Sequence, residues 1–455
     1  MKADKLVSIV MPVHNTERYI KDTLESLKNQ TYSYFEVILV DDCSDDNSVE
    51  IIRAEVESDE RFRLYINEKR EGAGPTRNKG LELANGDYLM FLDADDLFES
   101  DLVRELYYAI DRSEADVAIC KFDSFTDIVV ADGERNIDDI EEVDIYGEEG
   151  VKWITVVPWN KIFRKTFVEK NNLWFQDLRN TNDLYFVVVA LLLAAKIVHV
   201  RTMDPLVHYR IETRNQISSD RDPFCAYEAY CEVVKKMQEC EETRNYKELI
   251  SHKFKGSVFH SLKHCKNQDR QKEFYNFLGS EEIQRFLDSL EMKESKYFLD
   301  WAFFEKIRML PYETKWFETE GPMDLLLERN RDKIEQLLRE YKDKKVYIWG
   351  AGNYGIKIAR FCNRIQGGSI SWFIDMDSSK HGQAVEGLKV LPLESLCGEE
   401  DGLIIASNRG IFRSIPDTKT GTGKFVVINL YEFMYGKSYE KCIKKVDNVS
   451  YLYQE

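Results

Sequence analysis

Three aspartates stand close together at Asp93, Asp95 and Asp96, directly after the apolar run at residues 88–92. Asp93 and Asp95 are two positions apart where the chain leaves a predicted strand, so both carboxylates can approach one cation. Carboxylate oxygens suit hard ions such as Mg²⁺ or Mn²⁺, and such an ion neutralises charge that grows on phosphate oxygens. The pair therefore predicts a metal site for a phosphate-containing substrate, with a helix-capping turn as the alternative.

A second acidic cluster spans residues 40–48, V-D-D-C-S-D-D-N-S, and follows the second predicted strand. Its Asp42 carboxylate can accept a hydrogen bond from the ring N–H of uracil. Asp45, Asp46 and Asn47 suit the start of the next helix, because short polar side chains accept hydrogen bonds from the first helical N–H groups. The cluster therefore predicts a base-binding carboxylate with a helix cap beside it.

The first strand pattern, residues 7–15, reads V-S-I-V-M-P-V-H-N and is predicted to end at Pro12. The turn that follows could line a base pocket with its backbone, and His14 could offer a stacking surface. A lone histidine near a strand end is more often a surface residue or a satisfied polar one. Both interpretations of His14 stay open at this point.

Asp183 stands directly before residues 184–195, the most apolar stretch of the chain. That stretch is about 12 residues long, short of the roughly 20 that a membrane-spanning helix needs, so it predicts a buried core helix. A carboxylate at the start of such a helix can be positioned against a substrate hydroxyl and act as a general base. A simple helix cap is the alternative for Asp183.

Short β-rich runs alternate with helical periodicity over the first part of the chain. The predicted strands are residues 7–11, 35–40, 62–66, 88–92 and 116–120. This alternation predicts an α/β fold with a mostly parallel sheet and helices on both faces. Ligands of such sheets bind beyond the carboxyl ends of the strands, so both acidic clusters are predicted to lie on one rim.

The later part of the chain changes pattern twice. Residues 224–342 are helical in pattern and poor in strands, and from residue 345 the alternation of strands and helices resumes. We therefore predict an N-terminal α/β domain at 1–220, a helical region at 221–342, and a Rossmann-like α/β domain with a C-terminal tail at 343–455.

The third region opens with K-V-Y-I-W-G-A-G-N-Y-G at residues 345–355. Gly350, Gly352 and Gly355 lie between a predicted strand and a predicted helix, and Asp375 follows about 20 residues later, as in a dinucleotide fingerprint. The functional interpretation is a nucleotide or NAD site with Asp375 on a ribose hydroxyl. We favour the alternative that the glycines only permit tight packing, because the segment is predicted to lack half of a full dinucleotide-binding fold.

The composition limits which binding partners and which cellular location are expected. The formal net charge is −18 without a basic patch, so a nucleic-acid partner is not expected. Nine dispersed cysteines without a C-x-x-C pair are typical of reduced thiols in a cytoplasmic protein. No export signal is recognised, and we expect a cytoplasmic protein, or one associated with the cytoplasmic face of a membrane.

Four segments, in this order and spacing, resemble the family 2 glycosyltransferases of the GT-A fold. They are residues 7–15 and 40–48 as quoted, G-A-G-P-T-R-N-K-G-L at residues 72–81, and D-A-D-D at residues 93–96. The resemblance implies a UDP-sugar or other nucleotide-sugar donor and a bound Mn²⁺ or Mg²⁺. The residues that it implies in nucleotide binding are Pro12, Val13, His14, Glu17, Asp42, Arg77, Asp93, Ala94 and Asp95.

Within this set, the resemblance implies that Asp95 ligates the metal on the diphosphate, and the spacing adds Asp93 as a second ligand. Two positions depart from the family pattern. His14 stands where an aromatic residue such as tyrosine is common, and Thr76 stands where alanine is usual. These departures affect the stacking surface and the shape of the base pocket.

Three later segments resemble the acceptor side of the same family: P-W-N-K at residues 158–161, N-D-L-Y-F at 182–186 and H-Y-R at 208–210. The resemblance implies that Asp183 is the general base, although the family usually has Glu-Asp where this chain has Asn-Asp. The remaining acceptor-side residues are Trp159, Asn182, His208 and Arg210. For His208, a third metal ligand is an alternative.

These expectations combine into an inverting, metal-dependent hexosyl- or N-acetylhexosaminyltransferase. Its acceptor would be a glycan, glycolipid or glycoprotein in bacterial surface polysaccharide or glycoconjugate synthesis. The first alternative is an NAD-dependent oxidoreductase or epimerase that uses the C-terminal domain, but no Tyr-x-x-x-Lys pair follows the glycine turn. The second is a non-catalytic sugar-nucleotide-binding module, against which the presence of Asp93, Asp95 and Asp183 argues.

Overall fold

The chain folds into two compact units, Met1–Glu291 and Met292–Glu455. The computed structural model describes residues 4–125, 140–146, 155–202, 204–211, 221–240, 246–292, 298–314, 324, 327–328, 330–365, 370–375, 378–396, 401–406, 425–430 and 443–446. The division between the units lies inside the range 221–342, which the sequence predicts as one helical region. The predicted helices of that range are therefore divided between the two units.

The N-terminal unit is built on an eight-stranded sheet with the order β3-β2-β1-β4-β9-β6-β10-β8. Its strands are β1 Val7–Val13, β2 Phe35–Asp41, β3 Phe62–Ile66, β4 Tyr88–Phe91, β6 Val117–Ile119, β8 Ile140–Glu142, β9 Lys161–Arg164 and β10 Ile197–Val200. Strands β1 to β4 pair in parallel, as do β6 and β10, whereas β9 and β8 are antiparallel to their neighbours. The predicted mostly parallel α/β sheet is confirmed.

The two central strands β1 and β2 are almost wholly buried, as expected when helices cover both faces of a parallel sheet. Strand β1 continues past the predicted end at Pro12 to Val13. The Val13 carbonyl accepts the Asp42 N–H at 2.8 Å, so the pairing of β1 with β2 carries the strand through the proline. The predicted end of the first strand was therefore one residue short.

A smaller three-stranded sheet has the order β5-β11-β7. Its strands are β5 Leu97–Phe98, β7 Phe122–Phe125 and β11 Val207–Arg210. Strand β5 follows the D-A-D-D segment directly, so this sheet carries the chain away from the acidic rim.

The helices of the N-terminal unit cover the large sheet and extend beyond it. They are α1 Ile20–Lys28, α2 Ser48–Val56, α3 Ala73–Leu83, α4 Leu102–Ser113, α5 Lys165–Lys170, α6 Leu184–Leu193, α7 Phe224–Glu239, α8 Tyr246–Lys263, α9 Gln268–Leu278 and α10 Glu281–Ser289. Helix α6 is buried from its first residue to Leu192, which confirms the predicted core helix. No helix among the described residues is long and apolar enough to cross a bilayer.

The C-terminal unit contains α11 Phe298–Met309, α12 Arg331–Glu340 and α13 Asn353–Arg364, and a seven-stranded sheet with the order β14-β15-β13-β12-β16-β17-β18. Its strands are β12 Lys345–Trp349, β13 Trp372–Ile374, β14 Ala384–Val385, β15 Leu388–Leu391, β16 Gly402–Ala406, β17 Phe425–Asn429 and β18 Ile443–Val446. The Rossmann-like prediction is confirmed.

Five neighbouring strands of this sheet, from β15 to β17, pair in parallel, and the two edge strands are antiparallel. If these five parallel strands are numbered 1 to 5 along the chain, their order across the sheet is 3-2-1-4-5. The direction of the strand order reverses beside β12. The expectation that much of the fold is missing was therefore wrong. It failed because β14, β15 and β18 are short or carry polar residues, which weakens the strand pattern.

Candidate functional site

Asp42 follows the end of β2, where its buried carboxylate fixes the loop that leads into α3. Its Oδ1 accepts hydrogen bonds from the Asn67 side-chain amide at 3.0 Å and the Glu71 N–H at 2.7 Å, and its Oδ2 accepts the Gly72 N–H at 2.8 Å. Burial works to raise the pKa of Asp42, but these hydrogen bonds outweigh it and hold the pKa below its ordinary value. Asp42 is therefore ionised, and Oδ2 retains a lone pair for another donor.

Helix α3 begins at a glycine-rich turn that needs its small residues. Gly72 has a φ of 91°, in the left-handed region. At Gly74, a Cβ atom would lie 2.0 Å from the carbonyl oxygen of Gln176. The backbone of α3 therefore packs directly against residues 176–182, the segment that leads into α6.

Arg77 on α3 connects the acidic rim to this segment. Its Nη2 donates to Asp93 Oδ1 at 2.6 Å, and its Nη1 donates to Asn182 Oδ1 at 2.8 Å. The guanidinium lies 5.5 Å from the ring centre of Phe175. Its buried Nε has no acceptor among the described residues. One arginine thus joins the D-x-D segment to the residue that precedes Asp183.

The D-A-D-D segment leaves β4 with its carboxylates in different environments. Asp93 is partly exposed and paired with Arg77, whereas Asp96 is fully buried. Arg210 donates its backbone N–H to Asp96 Oδ1 at 2.8 Å and its Nε to the Asp95 carbonyl at 2.8 Å. Arg210, predicted on the acceptor side, therefore contacts the D-x-D turn itself.

Burial raises the pKa of Asp96 well above its ordinary value, and the neighbouring charges of Asp95 and Asp93 raise it further. Its Oδ2 is buried and has no hydrogen-bond partner among the described residues. The turn therefore disfavours a charged Asp96 next to the carboxylates of Asp93 and Asp95.

Asp183 is the N-cap residue of α6 by position, and its carbonyl accepts the Val187 N–H at 3.0 Å. Its side chain makes no capping hydrogen bond, so the simple helix-cap interpretation does not account for this carboxylate. Burial raises the pKa of Asp183, while Arg77 lowers it and Asp93 raises it. The electrostatic influence of Arg77 and Asp93 places Asp183 in the same charged neighbourhood.

The segment before Asp183 is held in an unusual conformation. Thr181 has a φ of 56°, which a β-branched residue rarely adopts. Such strain costs on the order of 1–3 kcal/mol and persists where the surroundings impose it. The Gln176 N–H donates to the Asn182 carbonyl at 3.0 Å, and Arg77 holds the Asn182 side chain. The approach to Asp183 is thus fixed before any substrate binds.

The residues predicted for the nucleoside line the ends of β1 and β2. His14 Nδ1 lies 2.9 Å from the Asp42 carbonyl, and Val13, the last residue of β1, is buried. Glu17 Oε2 accepts the N–H and the side-chain amide of Asn47 at 3.1 and 2.8 Å. Glu17 therefore orders the start of α2.

The remaining predicted positions lie close to this rim. Pro12 is partly exposed in β1. Ala94 is buried, and its carbonyl accepts the Thr23 hydroxyl at 3.2 Å. Asp46, predicted with Asp45 and Asn47 to cap α2, accepts the Ser48 N–H at 2.9 Å. The Asn47 side chain makes no capping hydrogen bond, so Asp46 supplies that interaction.

Comparison with known proteins identifies the N-terminal part of the chain. Residues 8–171 match the sequence model of the family described as Glycosyl transferase family 2. These residues form a family 2 glycosyltransferase domain. The match includes both acidic clusters and α3, whereas Asp183 lies beyond it.

Two bacterial relatives are similar over about half of the chain. EpsH of Bacillus subtilis (strain 168) is 34% identical over 216 residues, which is 45% of this chain and 60% of EpsH. The glycosyltransferase GlyG of Streptococcus pneumoniae serotype 4 is 28% identical over 247 residues, which is 52% of this chain and 81% of GlyG. The chain thus spans less than two thirds of the length of EpsH.

A solved structure shares the fold. The crystal structure of S. aureus TarS 1–349 in complex with UDP-GlcNAc superposes with a TM-score of 0.55 at 20% sequence identity, covering 69% of this chain and 90% of that one. At this level of identity the likeness concerns the fold alone, and it agrees with a GT-A-type N-terminal domain.

His208, which the sequence predicts on the acceptor side, lies between two carboxylates. Its Nδ1 is 2.6 Å from Asp123 Oδ1, and its Nε2 is 3.0 Å from Glu99 Oε1. Both ring nitrogens are engaged, so this arrangement leaves no lone pair for a metal ion. The third-ligand alternative for His208 is not supported, and His208 instead joins strands of the small sheet.

Trp159 is almost fully buried and therefore offers little surface to an acceptor. It stacks on Tyr209 with ring centres 5.3 Å apart and meets Phe122 edge-on at 4.6 Å. Phe122 is 43% exposed and presents the accessible face of this aromatic group. Sequence reasoning missed Phe122, because a single aromatic residue in a polar strand carries no recognisable motif.

Lys161, in the P-W-N-K segment, is fully buried. It donates to Thr155 Oγ1, the Val157 carbonyl and Asn160 Oδ1 at 2.6, 2.6 and 2.7 Å. Burial lowers the pKa of Lys161 to about 7. Lys161 thus anchors the turn that carries Trp159.

The glycine turn of the C-terminal unit is organised differently from the acidic rim. At Gly355 a Cβ atom would lie 1.8 Å from the Gly350 carbonyl oxygen, and Gly350 itself has a φ of 103°. Asp375 Oδ2 accepts the Ala351 N–H at 2.8 Å and the Lys380 ammonium at 3.1 Å. These contacts support a packing role for the turn, and nucleotide binding at Gly350, Gly352, Gly355 and Asp375 stays a prediction.

Proposed function

We propose that the protein transfers a hexosyl or N-acetylhexosaminyl group from a UDP-sugar to an acceptor hydroxyl, with inversion at the anomeric carbon. The single observation that carries this proposal is the contact of Arg77 with both Asp93 and Asn182. That contact brings the predicted diphosphate end of the donor site beside the predicted base, Asp183. Transfer requires these two groups on opposite sides of one anomeric carbon.

The donor side is supported by the state of Asp42. Its carboxylate is ionised and Oδ2 has capacity for one more donor, as recognition of a uracil ring N–H requires. His14 and the backbone of Pro12 and Val13 stand at the same strand end. The TarS crystal structure in complex with UDP-GlcNAc supports a UDP-linked donor for a domain of this fold.

A divalent cation, Mn²⁺ or Mg²⁺, fits the D-x-D turn. Burial raises the pKa of Asp96, and the charges of Asp95 and Asp93 beside it raise it further, while Arg210 Nε donates to the Asp95 carbonyl. Asp95 and Asp93 would hold the ion, which supplies neutralising charge for the departing diphosphate. No group of three or more His, Cys, Asp and Glu side chains forms a metal site among the described residues, so donor phosphate oxygens would complete the coordination.

Asp183 serves as the base in this proposal. Its side chain makes no capping hydrogen bond. Burial raises its pKa, which makes the ionised carboxylate a better proton acceptor. It removes the acceptor hydroxyl proton while the oxygen attacks the anomeric carbon. A single displacement of this kind inverts the anomeric configuration.

A surface glycan, glycolipid or glycoprotein is the proposed acceptor, and the cytoplasm or its membrane face is the proposed location. The seven cysteines that the structure describes are all free thiols, as expected in a reducing compartment.

The test is donor turnover with UDP-hexoses and UDP-N-acetylhexosamines, measured with EDTA and again after Mn²⁺ add-back. We expect UDP release that EDTA abolishes and Mn²⁺ restores, and an inverted anomeric signal in the product by NMR. If EDTA does not reduce turnover, the reaction does not require the proposed metal ion. A lack of UDP binding by calorimetry in the presence of Mn²⁺ removes the donor class.

A further inference from the structure

The guanidinium group of Arg221 is unpaired within the part of the chain that the structure describes. Its backbone N–H donates to the His264 carbonyl at 3.2 Å, but its side chain makes no hydrogen bond or ion pair with the residues that the structure describes. The Nε atom is also inaccessible to solvent. A buried donor on a charged group is costly to leave unpaired, so this one indicates a missing ligand.

Asn180 supplies a second unpaired donor at the same place. Its Oδ1 accepts the N–H of Asp222, the residue after Arg221, at 2.8 Å. That contact fixes the orientation of the amide, because a flipped amide would place two donors against each other. The Asn180 side chain is 2% exposed, and its Nδ2 has no acceptor in the described part of the chain.

The nearby carboxylate of Asp222 does not neutralise Arg221. Arg270 takes both oxygens of Asp222, with Nε 3.2 Å from Oδ1 and Nη2 3.1 Å from Oδ2. Asp222 is therefore committed to another arginine. The positive charge of Arg221 is left available to a ligand.

Arg221 lies on the base side of the site. Burial lowers the pKa of Arg221, and the Asp183 carboxylate is the strongest influence that opposes this shift. The D-x-D turn has its own arginine, since Arg210 contacts both Asp95 and Asp96. Arg210 thus contacts the D-x-D turn, whereas Arg221 is electrostatically coupled to Asp183, the proposed base.

We propose that Arg221 and Asn180 bind an anionic group of the acceptor, a phosphate or a carboxylate, close to the hydroxyl that Asp183 deprotonates. A guanidinium and an amide N–H offer only donors, and both groups match anionic oxygens. The chain carries a net charge of −18, so an anionic acceptor needs a local cation to approach. This inference rests on the proposed function and names the acceptor class for the same site.

The experiment measures binding to the full chain by calorimetry with UDP and Mn²⁺ saturating, so that the donor site is already filled. The probes are glycerol 1-phosphate and glucuronate, with glycerol and glucose as their neutral counterparts. The variants are Arg221→Met and Asn180→Asp, the second of which keeps the acceptor for the Asp222 N–H and removes the free donor. Arg285→Met, which removes an exposed charge from α10, is the matched control.

We expect at least one anionic probe to bind the wild type and its neutral counterpart to bind more weakly. Affinity should fall roughly 10- to 100-fold in Arg221→Met and in Asn180→Asp, the range for a lost charged hydrogen bond, and stay unchanged in Arg285→Met. Phosphate and carboxylate acceptors are distinguished by which probe responds.

Equal binding of anionic and neutral probes, or equal affinity in Arg221→Met and the wild type, would overturn the inference. So would a loss of UDP affinity in Arg221→Met with probe binding preserved, because the guanidinium would then serve the donor. UDP affinity of the wild type is measured first, and its absence would instead count against the proposed function. Asn180→Asp, which preserves the contact to Asp222, distinguishes loss of the donor from loss of folding.

Discussion

The acidic rim of the N-terminal unit and the glycine turn of the C-terminal unit share one local plan. In each, a buried strand ends at a turn, a glycine-rich segment begins a helix, and an aspartate follows a strand end. At the rim, Arg77 donates to Asp93 and Asn182, and its Nε has no acceptor in the described ranges. In the C-terminal unit, Asp375 binds the turn itself through the Ala351 N–H.

This difference separates a site from a packing motif. A buried polar group without a partner costs roughly 1–3 kcal/mol, so a fold retains such groups where a ligand pairs with them. The rim and its base side retain Arg77 Nε, Asp96 Oδ2 and Asn180 Nδ2 in this state. At the glycine turn, the Asp375 carboxylate accepts a hydrogen bond from the turn itself. The similar motif there is therefore weaker evidence for a binding site.

The sharpest test of the rim is Asp183→Asn, which keeps shape and removes the base. We expect turnover to fall on the order of 10² to 10⁴, the range for a positioned general base, with UDP affinity retained. Asp177→Asn changes an exposed carboxylate in the same segment and should leave turnover unchanged. Full turnover in Asp183→Asn would discard the assignment of the base.

Arg77→Lys tests whether one side chain must hold two segments. A lysine ammonium lacks the planar fork that reaches Asp93 and Asn182 together. A displacement of about 1 Å at a reacting group can cost about 10² in rate, so we expect kcat/KM to fall by about that factor. Arg63→Lys, at an exposed arginine on β3, is the control. Retained kcat/KM in Arg77→Lys would show that the segments stay aligned without the fork.

The glycine turn is tested by a matched pair, Gly355→Ala and Gly352→Ala. The new methyl group at 355 would overlap the Gly350 carbonyl, whereas at 352 it meets nothing within 4 Å. We expect Gly355→Ala to destabilise the C-terminal unit by about 1–3 kcal/mol, as overpacking does, and Gly352→Ala to change little. Hydrogen exchange at β12 measures both, and similar protection in the two variants would contradict the packing role.

The smallest expected effect concerns pH. Burial raises the pKa of Asp183 above the ordinary 3.8, and the base acts only when ionised, so kcat/KM is lost as pH falls through that raised pKa. Arg221 lowers the pKa of Asp183. Removing its charge in Arg221→Met should move the acid limb of donor hydrolysis upward by up to about one unit. If the acid limb of Arg221→Met stays at the wild-type pH or moves to lower pH, Arg221 does not influence the pKa of Asp183.

Much of the architecture followed from local pattern. Strand and helix periodicities predicted the mostly parallel sheet, the buried helix α6 and the Rossmann-like region, and the structure confirms these. The edge strands of the C-terminal unit were overlooked because β18, I-K-K-V, and the short strand β14 show little apolar alternation. Strand identity there depends on a neighbouring strand offering hydrogen bonds, which is not a property of the segment alone.

Residue types and spacing were enough to point to carboxylates at strand ends and to a base at the start of an apolar helix, because strand, turn and helix signals are local. They could not show that Arg77 and Asn182, which are 105 positions apart, would meet. Nor could they show that Arg221 would find no partner among the described residues while Arg270 engages Asp222. Those outcomes depend on how distant segments pack, since pairing and burial of charge arise only once the chain has folded.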